Sequence, residues 1–578
     1  MCLRNILTLI IMLCSMALFP LFGQEICKDS LLVDLHPPFS AAQPDSSFEI
    51  FSEFDWKSYQ PLPIPQWQPP RTSGLPKNQL VRYNLSTKNE FTSEPDTTVA
   101  FPNLIPGMPG IAADLDMDDG FPNNTEVFTN LFPIILSTVA YPFSTTVKLF
   151  LSYPNGNFVA TGVLIDPFHI LTAGHVIYDD VNDTWVNSVI AIPSFSGGTP
   201  YFGRANAVEL YSWSGWTQDH SIEWDMGYIR LDRPVGALTG TLGYGFNDDN
   251  SFFTNNSFRQ YCYPAESPYP GNKMYTWFGE YDQATTHILY HNNIGYGGMS
   301  GSGSYKRDVA NRYVYAVLSH GIDNRTGDTR INSQRFNSIR NRILNNTPAN
   351  ADLIALDVDA GPSSPIAGNR LDHFSYVIHN YSRQNWSGTV QVRVYLSSNR
   401  DISESDILLQ TRSFTGSISA KQSVRINSTG ILPKIPAYIQ GQHWLGVILD
   451  INDVNTNNND TDGDDAEPLL IQSLTAIPDE DNNLNNGFAL FQNYPNPFNP
   501  ETEIEFYLPD NSHIKFEIFD ITGRRVRILH NGILPSGRQS LRWDGRDEKG
   551  VSAPSGVYIY RLSDDQRNSQ TRKMMLLR

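Results

Sequence analysis

The sequence is poor in cysteine and has no cluster of positive charge. Only four of its 578 residues are cysteine, and two of these, Cys2 and Cys14, lie near the N-terminus. If that end is removed, only Cys27 and Cys262 remain, so the chain cannot depend on a disulfide framework. The formal charge is -18, and nucleic acid or an anionic membrane would require clustered Lys and Arg. Both are therefore poor candidates as partners.

Long apolar runs are also missing beyond the N-terminus. The run from Ile6 to Phe22 follows Arg4 and precedes Gly23, which predicts a signal peptide over residues 1–23. An uncleaved membrane anchor is the alternative, but the run is short for a membrane span. We therefore expect an exported protein with no membrane span after signal cleavage.

The chain has enough apolar residues for several cores, although charge is scarce. Hydrophobic residues make up 40% and charged residues 18%, against roughly 25% charged in an average soluble protein. At about 100 to 200 residues per domain, the length predicts three or four domains. Residues 24–130 are rich in Pro, Ser, Asp and Asn and predict a loop-rich leader, which would be a propeptide. Its acidic run 114–120 resembles a calcium loop, but Gly120 falls one place late, which favours a solvated turn.

From residue 131 the pattern changes to short apolar segments separated by turns, which predicts an all-β barrel or sandwich. We predict strands over 146–151, 158–160, 162–165 and 169–172. One helix is predicted from Ser333 to Leu344, because Phe336, Ile339 and Ile343 share one face. The sequence Asn-Asn-Thr-Pro at 345–348 then stops it. We expect this helix to close the domain.

Three polar residues in this region form a candidate catalytic set. His175 lies in L-T-A-G-H-V, Asp225 in W-D-M-G-Y-I-R-L, and Ser300 in G-Y-G-G-M-S-G-S-G (295–303). Each alone is more often structural. Together they match nucleophilic catalysis, because a serine needs a base to remove its proton and the base needs a carboxylate to hold its tautomer. The backbone N–H groups of Gly298 and Ser300 would form the oxyanion hole.

The segments T-G-V-L-I-D-P-F-H-I-L-T-A-G-H-V-I-Y-D (161–179), D-M-G-Y-I-R-L-D-R-P-V-G (225–236) and G-G-M-S-G-S-G (297–303) resemble chymotrypsin-like serine peptidases, particularly the glutamyl-endopeptidase (V8-like) branch. The resemblance implies a trypsin-like double β-barrel over 131–347, with His175 as general base, Asp225 as its orienting carboxylate and Ser300 as nucleophile. Ser300 is preferred to Ser302 because Gly stands two places before it and directly after it.

The residue before the predicted nucleophile is Met299. In trypsin-type relatives an aspartate at this position pairs with a newly cut amino terminus, so that route of activation is not expected here. If the leader is a propeptide, its removal would act by another route, such as unblocking the cleft or ordering the substrate pocket.

The resemblance also implies a specificity pocket. A buried substrate carboxylate needs a partner, because leaving it unpaired costs several kcal/mol. His320, in V-L-S-H-G-I-D, with Ser319 and Gly295 would form the pocket, although Gly295 replaces a threonine of the family and Asp323 is close in sequence. We predict some preference for cleavage after Glu or Asp. The alternative is that His320 only packs at the barrel surface. No metal or cofactor is expected.

Residues 351–476 predict a second kind of domain. Val390, Val392, Val394 and Leu396 alternate with polar or larger residues, which is typical of one face of a sandwich strand. The segment resembles the immunoglobulin-like (CARDB-like) spacer or adhesion modules of bacterial exported proteins. Its acidic loop, 453–467, would bind calcium or, as favoured, form a solvated hairpin tip.

An acidic linker, 478–487, precedes the last predicted domain. Strands are predicted over 504–508, 514–519, 541–543 and 557–562. The motifs F-Q-N-Y-P-N-P-F-N-P-E-T (491–502), S-G-V-Y-I-Y-R-L (555–562) and K-M-M-L-L-R (573–578) resemble the C-terminal sorting domain of type IX secretion over residues 488–578. The resemblance implies the type IX machinery as a partner and secretion to the exterior or the cell surface of a diderm bacterium.

These observations predict an all-β exported serine endopeptidase: a trypsin-like double β-barrel followed by two immunoglobulin-like β-sandwich domains. Its partner would be a protein or peptide substrate. The alternative is a catalytically inactive peptidase fold used for adhesion, with the sandwiches supplying the binding.

Overall fold

The computed structural model describes residues 55–95, 103–111, 131–133, 138–308, 311–322, 324–473, 488–496, 498–521, 523–565 and 568–577. The predicted signal peptide, Cys27, the acidic run 114–120, Asp323 and the linker 478–487 lie outside these residues. The chain divides into two compact units, one up to Leu474 and one from Thr475. Among the described residues, no helix has the length and apolarity needed to cross a bilayer.

The first unit begins with strands that build one barrel. In chain order these are β1 (Gln60–Pro61), β2 (Leu80–Asn84), β3 (Asn89–Thr92), β4 (Leu104–Ile105), β5 (Met108–Pro109), β6 (Phe132–Pro133), β7 (Thr146–Tyr153), β8 (Gly156–Asp166), β9 (His169–Thr172), β10 (Tyr178–Asp179), β11 (Thr184–Trp185), β12 (Ser188–Pro193), β13 (Ala205–Trp213) and β14 (Gly227–Leu231). The order β12-β7-β8-β9-β14-β13 closes on itself, because β12 also pairs with β13. The short helices α1 (Gly174–Ile177) and α2 (Ser214–Thr217) lie at its edge.

The predicted strands of this barrel are present, with one merger. The predictions 146–151 and 169–172 correspond to β7 and β9. The predictions 158–160 and 162–165 are one strand, β8, because Thr161 and Gly162 continue the antiparallel ladder opposite Lys148 and Val147. Most of β8 is buried, so its sequence lacks the alternation that marks a half-exposed strand.

A second sheet follows. The next elements along the chain are β15 (Gly240–Thr241), β16 (Gly243–Gly245), β17 (Phe258–Cys262), β18 (Tyr275–Gly279), β19 (Gln283–Ala284), β20 (Ile288–His291), β21 (Gly303–Asp308), β22 (Asn311–Ile322) and β23 (Arg325–Arg330), with helices α3 (Gly236–Thr239), α4 (Asn250–Thr254) and α5 (Ser333–Asn346). Ten strands join in the order β19-β20-β23-β22-β21-β17-β18-β6, with β16 on β22 and β4 on β16, while β15 pairs with β5 alone. Cys262 is buried in this sheet and has no disulfide with any described residue.

Helix α5 starts at Ser333, as predicted. Its N-terminal cap is Asn332, whose side chain accepts a hydrogen bond from the Arg335 backbone N–H at 3.0 Å. Asn satisfies a free N–H at a helix start as well as Ser does. The helix ends at Asn346, before Thr347 and Pro348.

Part of the predicted loop-rich leader is paired with the barrels. Strand β2 pairs with β13 from Leu80 to Asn84, β4 pairs with β16 and β5 with β15. Strands of two to five residues have no sequence period that could be recognised, so only the pairing reveals them.

A sandwich completes the first unit. Its strands are β24 (Leu353–Gly361), β25 (His373–Asn380), β26 (Trp386–Ser397), β27 (Ile407–Ile418), β28 (Ser423–Asn427), β29 (Gly441–Asp450) and β30 (Glu467–Ile471), in sheets β24-β25-β28 and β27-β26-β29-β30. The predicted alternation is in β26, where Val390, Val392 and Val394 are buried in a core shared with Ala355 and Ile378 of the other sheet.

Charged side chains join this sandwich to the first barrel. Asp464 accepts a hydrogen bond from Arg204 Nε at 3.0 Å, and Arg233 donates two hydrogen bonds of 2.5 Å to Asp465. The acidic loop predicted to bind calcium or remain solvated therefore places these carboxylates against arginines. Within the described residues, no group of three or more His, Cys, Asp or Glu side chains could hold a metal ion.

The second unit is a smaller sandwich. Its strands are β31 (Ala489–Leu490), β32 (Thr502–Leu508), β33 (Ser512–Asp520), β34 (Arg525–Leu534), β35 (Gly537–Trp543), β36 (Gly556–Asp564) and β37 (Ser569–Leu576), in sheets β31-β32-β35 and β34-β33-β36-β37. Alternate residues such as Ile504 and Phe506 of one sheet and Ile514 and Phe516 of the other form its core. The predicted all-β class, with barrels followed by sandwiches, is confirmed.

Candidate active site

His175 and Asp225 lie together at one end of two paired strands of the first barrel, β9 and β14. His175 is in α1, directly after β9, and Asp225 precedes β14. His175 Nδ1 lies 2.8 Å from Asp225 Oδ2, and the His175 backbone N–H donates to Asp225 Oδ1 at 2.7 Å. The carboxylate therefore holds both the ring and the backbone of the histidine, which fixes the direction of the imidazole.

A third donor reaches the same carboxylate. The Ser319 hydroxyl donates to Asp225 Oδ2 at 2.6 Å. Burial alone would raise the pKa of Asp225, but His175 and Ser319 together hold that pKa below its usual value. Asp225 is therefore ionised at neutral pH. An ionised acceptor favours the tautomer with the proton on Nδ1 of His175, which leaves Nε2 as the basic nitrogen.

The loop that carries Ser300 requires two of its glycines. Gly298 has φ +93° and Gly301 has φ +84°, a region that L-residues with side chains rarely adopt. A Cβ on Gly298 would lie 2.6 Å from the Tyr263 carbonyl oxygen, and one on Gly301 would lie 2.4 Å from the Thr161 carbonyl oxygen. Both contacts are with backbone, so neither could relax at low cost. The glycine density read in the sequence thus has a steric cause.

Thr161 of β8 holds this loop, and the sequence analysis missed it. Its backbone N–H donates to the Ser300 carbonyl at 2.9 Å, and its hydroxyl donates to the Gly298 carbonyl at 2.8 Å. The same hydroxyl accepts from the Tyr263 N–H at 3.1 Å. A threonine in a strand carries no special sequence signal, so only the three-dimensional pairing identifies it.

Ser300 and His175 both keep an unpartnered polar atom at this site. Among the described residues, Ser300 Oγ and His175 Nε2 are buried and have no hydrogen-bond partner. A Cβ on Gly301 would lie 2.9 Å from the Ala173 nitrogen, so the serine loop lies against the segment that leads into His175. Ser302 Oγ is also buried without a partner. Burial does not separate the two serines, and the choice of Ser300 rests on its flanking glycines.

His320 is buried, not exposed at the barrel surface. A Cβ on Gly327 of β23 would lie 2.6 Å from His320 Nε2, so the ring lies against that backbone. Nδ1 is 3.1 Å from Ser319 Oγ, and Nε2 has no partner among the described residues. Burial lowers the pKa of His320 to about 4. The ring is therefore neutral at neutral pH.

The other predicted pocket residues are Ser319 and Gly295. The Ser319 hydroxyl is already donated to Asp225, as described above. Gly295 lies beside Thr326, since a Cβ on Gly295 would be 3.3 Å from Thr326 Oγ1. That hydroxyl donates to the Asn293 carbonyl at 2.6 Å. Thr326 thus places a hydroxyl next to Gly295, which stands where the resemblance expects a threonine. Alignment of the sequence by position could not identify Thr326 as a pocket residue.

Comparison with known proteins locates two matched regions. Residues 136–329 match the trypsin family model, and residues 496–567 match the model of the FlgD Ig-like domain. The first region is a trypsin-like serine peptidase domain, and the second is an immunoglobulin-like domain.

Two curated relatives match about a third of the chain. An extracellular metalloprotease of Bacillus subtilis is 28% identical over 209 residues, which is 36% of this chain and 66% of the relative. A glutamyl endopeptidase of Bacillus licheniformis is 26% identical over 219 residues, 36% of this chain and 65% of the relative. The match therefore spans just under two thirds of the length of each relative.

Solved structures with a similar fold include a Glu endopeptidase, at 20% identity and a TM-score of 0.33, covering 37% of this chain and 95% of that one. The protease Anisep from Arthrobacter nicotinovorans has 19% identity and a TM-score of 0.29, covering 32% of this chain and 90% of that one.

Proposed function

We propose that this protein is a serine endopeptidase that hydrolyses peptide bonds through Ser300, His175 and Asp225. The observation that carries the proposal is the pair of hydrogen bonds that Asp225 accepts from the ring and backbone of His175, beside a glycine-framed loop whose serine hydroxyl is buried and has no partner among the described residues. A carboxylate that fixes an imidazole next to a free hydroxyl is what a nucleophilic serine requires.

In the proposed reaction, His175 Nε2 takes the proton of Ser300 as Oγ bonds to the substrate carbonyl carbon. The negative charge that develops on the carbonyl oxygen is met by the backbone N–H groups of Gly298 and Ser300, a contribution on the order of 10² to 10³ in rate per donor. His175 then gives the proton to the leaving amine as the C–N bond breaks. Water attacks the acyl-enzyme by the same steps in reverse, and Asp225 stabilises the imidazolium throughout.

We propose a preference for cleavage after Glu or Asp. His320 Nε2 is buried and has no partner among the residues that the structure describes, and Thr326 has a hydroxyl beside Gly295. Protonated His320 would pair with the side-chain carboxylate of the substrate in this pocket. The glutamyl endopeptidase among the relatives is consistent with this substrate class.

We also propose that the protein acts outside the cell and that residues 488–578 are its type IX sorting domain. The sequence motifs named above support the sorting role, and a relative named as extracellular supports the location. The sorting role fits a separate compact unit with its own core, because such a unit can be recognised without disturbing the peptidase.

A fluorophosphonate probe tests the proposed chemistry, since it phosphonylates a serine hydroxyl only where a neighbouring base activates it. We expect the processed protein to label at Ser300, with peptide mapping locating the adduct. A catalytically inactive peptidase fold would stay unlabelled, and an adduct on Ser302 would overturn the assignment of the nucleophile.

A further inference from the structure

The segment Gln60–Trp67, with the sequence Q-P-L-P-I-P-Q-W, runs through the candidate active site. We call it the cleft segment. It is held at its start by aromatic contacts, where Trp56 packs on Phe195 with ring centroids 5.6 Å apart and Tyr59 packs on Phe150 at 5.2 Å. The cleft segment belongs to the loop-rich leader, and the proposed mechanism gives the leader no function.

The backbone of the cleft segment forms hydrogen bonds with β8, with the Ser300 loop and with β22. Leu62 N–H donates to the Val159 carbonyl at 3.0 Å, and Gly298 N–H donates to the Leu62 carbonyl at 3.2 Å. The carbonyl of Leu62 therefore accepts from one of the two donors assigned to the oxyanion hole. Further along, Gly321 N–H donates to the Pro65 carbonyl at 2.9 Å and Gly321 accepts from Trp67 N–H at 3.1 Å.

Its side chains pack against two hydrophobic cores. Leu62 packs against the large core that includes the first barrel, and Ile64 packs against the core of the second sheet. A Cβ on Gly295 would lie 2.6 Å from Ile64 Cδ1, and one on Gly297 would lie 3.0 Å from Pro61 Cβ. Ile64 thus lies at Gly295, the residue assigned to the specificity pocket, so a substrate side chain and Ile64 would exclude each other.

The cleft segment runs parallel to the strands that it contacts. Gln60 and Pro61 pair with Phe158 and Val159 of β8 in parallel register, and Gln66 pairs with Gly321 of β22 in the same sense. The bond whose carbonyl meets Gly298 is Leu62–Pro63. Its leaving group would be a proline ring nitrogen, and the segment is fixed on both sides of it by hydrogen bonds. This arrangement is suited to occupying the site without being cut.

We infer that the cleft segment is a built-in inhibitor, and that the active-site cleft is a binding site for an extended, proline-alternating peptide in this parallel polarity. The inference rests on the proposed function, since it assigns a role to the same site. Met299 is buried in the core of the second sheet and cannot form the ion pair that an aspartate would make with a new amino terminus. Release of the cleft segment is then the activating step.

The chain offers a place for this release. Residues 68–76 are exposed and connect the cleft segment to β2. Hydrolysis of a peptide bond there, with water as the second reactant, would free the cleft segment while β2 stays paired with β13. Proline at positions 61, 63 and 65 limits the conformations of the free segment, which lowers the entropy cost of binding.

The test uses the full chain, the variant Ile64→Asp and the control Leu75→Asp. Leu75 is an apolar residue of the same leader, but it is exposed and lies outside the cleft segment. Hydrogen–deuterium exchange reports on the Leu62, Trp67, Gly298 and Gly321 amides without needing catalysis. Fluorophosphonate labelling reports on Ser300. We expect Ile64→Asp to lose protection at all four amides and to label at least tenfold faster than wild type, while Leu75→Asp behaves as wild type.

The exchange and labelling measurements together distinguish failure of this inference from failure of the proposed function. Loss of protection in Ile64→Asp without labelling of any variant would support the inhibitor's position and refute the peptidase chemistry. Unchanged protection in Ile64→Asp, or equally fast labelling of all three proteins, would overturn the inference. As a check of polarity, the peptide Q-P-L-P-I-P-Q-W should inhibit the activated enzyme at least tenfold better than its reversed sequence, and equal inhibition would refute the parallel mode.

Discussion

The Ser319 hydroxyl donates to Asp225 Oδ2 at 2.6 Å, and that oxygen also lies 2.8 Å from His175 Nδ1. The serine sits on β22, far in sequence from both other residues, and it leads directly into His320 and the segment that pairs with the leader. One strand therefore supports the orienting carboxylate and also forms part of the proposed pocket. This makes Ser319 a positioning residue in the proposed mechanism.

We predict that Ser319→Ala lowers kcat/KM by about tenfold to a hundredfold. A hydrogen bond to a charged group contributes about 1.5–3 kcal/mol, and about 1.4 kcal/mol corresponds to a factor of ten in rate. The hydrogen bond from Ser319 helps to lower the pKa of Asp225, so that pKa rises when the donor is lost and the acid limb of the pH–rate profile should move to higher pH. Ser338→Ala, which removes another buried serine hydroxyl, is the control. An unchanged pH profile would reduce Ser319 to a structural role.

We predict that Ser300→Ala abolishes peptide hydrolysis and that Ser302→Ala keeps substantial activity. Loss of a nucleophile that acts with its base should reduce kcat by several powers of ten. Both side chains are fully buried, so circular dichroism must show that each variant still folds. Equal loss of turnover in the two variants, or turnover by folded Ser300→Ala, would contradict the assignment.

Local patterns in the sequence were sufficient to predict the elements that carry the candidate site. The motifs around His175 and Asp225 led to a pair that lies within hydrogen-bond distance, and the 3.6-residue period located α5 to within two residues at its end. The motifs and the helical period depend on residues that are close in the chain, so a short segment of sequence is enough to detect them.

Contacts between distant residues could not be predicted in this way. The hydrogen bonds from Thr161 to the Ser300 loop and from Arg233 to Asp465 join segments more than a hundred residues apart. No composition or spacing rule connects them. The structure of the cleft segment could not be predicted either. Its prolines suggested only a loop, because its conformation depends on pairing with β8 and β22.

We predict that the sandwich of the first unit loses part of its support in acid. Asp166 accepts from Tyr381 at 2.9 Å and lies 2.6 Å from Lys421 Nζ. Burial alone would raise the pKa of Asp166, but Lys421 and His169 lower it well below its usual value. The folded pKa is thus below the unfolded value of about 3.9, so the stabilisation is present above about pH 4 and is lost as the pH falls further.

Urea unfolding of the Asp166→Asn variant checks this expectation. We expect the variant to be less stable than wild type at pH 7 by about 1–3 kcal/mol, and the difference to shrink when both are measured near pH 3. Asp232→Asn removes an exposed carboxylate of the same barrel and should change little at either pH. A difference for Asp166→Asn that does not depend on pH would contradict the ionic role.

We predict that deletion of residues 488–578 leaves a folded peptidase that its host cannot export across the outer membrane. The second unit has its own core, so the first unit keeps its packing when the second is removed. Cell fractionation should find the truncated protein in the periplasm, with fluorophosphonate labelling after processing equal to that of the full chain. Truncated protein in the medium would refute the sorting role, and loss of labelling would show that the units do not fold independently.

His320 needs a proton to bind an acidic side chain. Burial has the largest effect on the pKa of His320 and lowers it to about 4. Asp225, Asp328 and His175 also act on this pKa. Ser319 donates its own proton to Asp225, so it can accept one from His320 Nδ1, and the neutral ring then presents Nε2 as a lone pair. A substrate carboxylate cannot pair with a lone pair. Binding of Glu must therefore take up one proton, whereas binding of Gln need not.

The ratio of kcat/KM for matched Glu and Gln substrates isolates this proton, because the two substrates share every other step and the effects common to both cancel. Since kcat/KM reports the free enzyme, we expect the ratio to fall by up to about tenfold for each pH unit above about pH 5 as protonated His320 becomes rare. In His320→Gln the ratio should be small and independent of pH. A wild-type ratio that stays constant between pH 5 and 8 would contradict the role of His320, and so would cleavage mainly after Arg, Lys or large apolar residues. The reason is that a neutral imidazole can bind a carboxylate only after it takes up a proton from solvent.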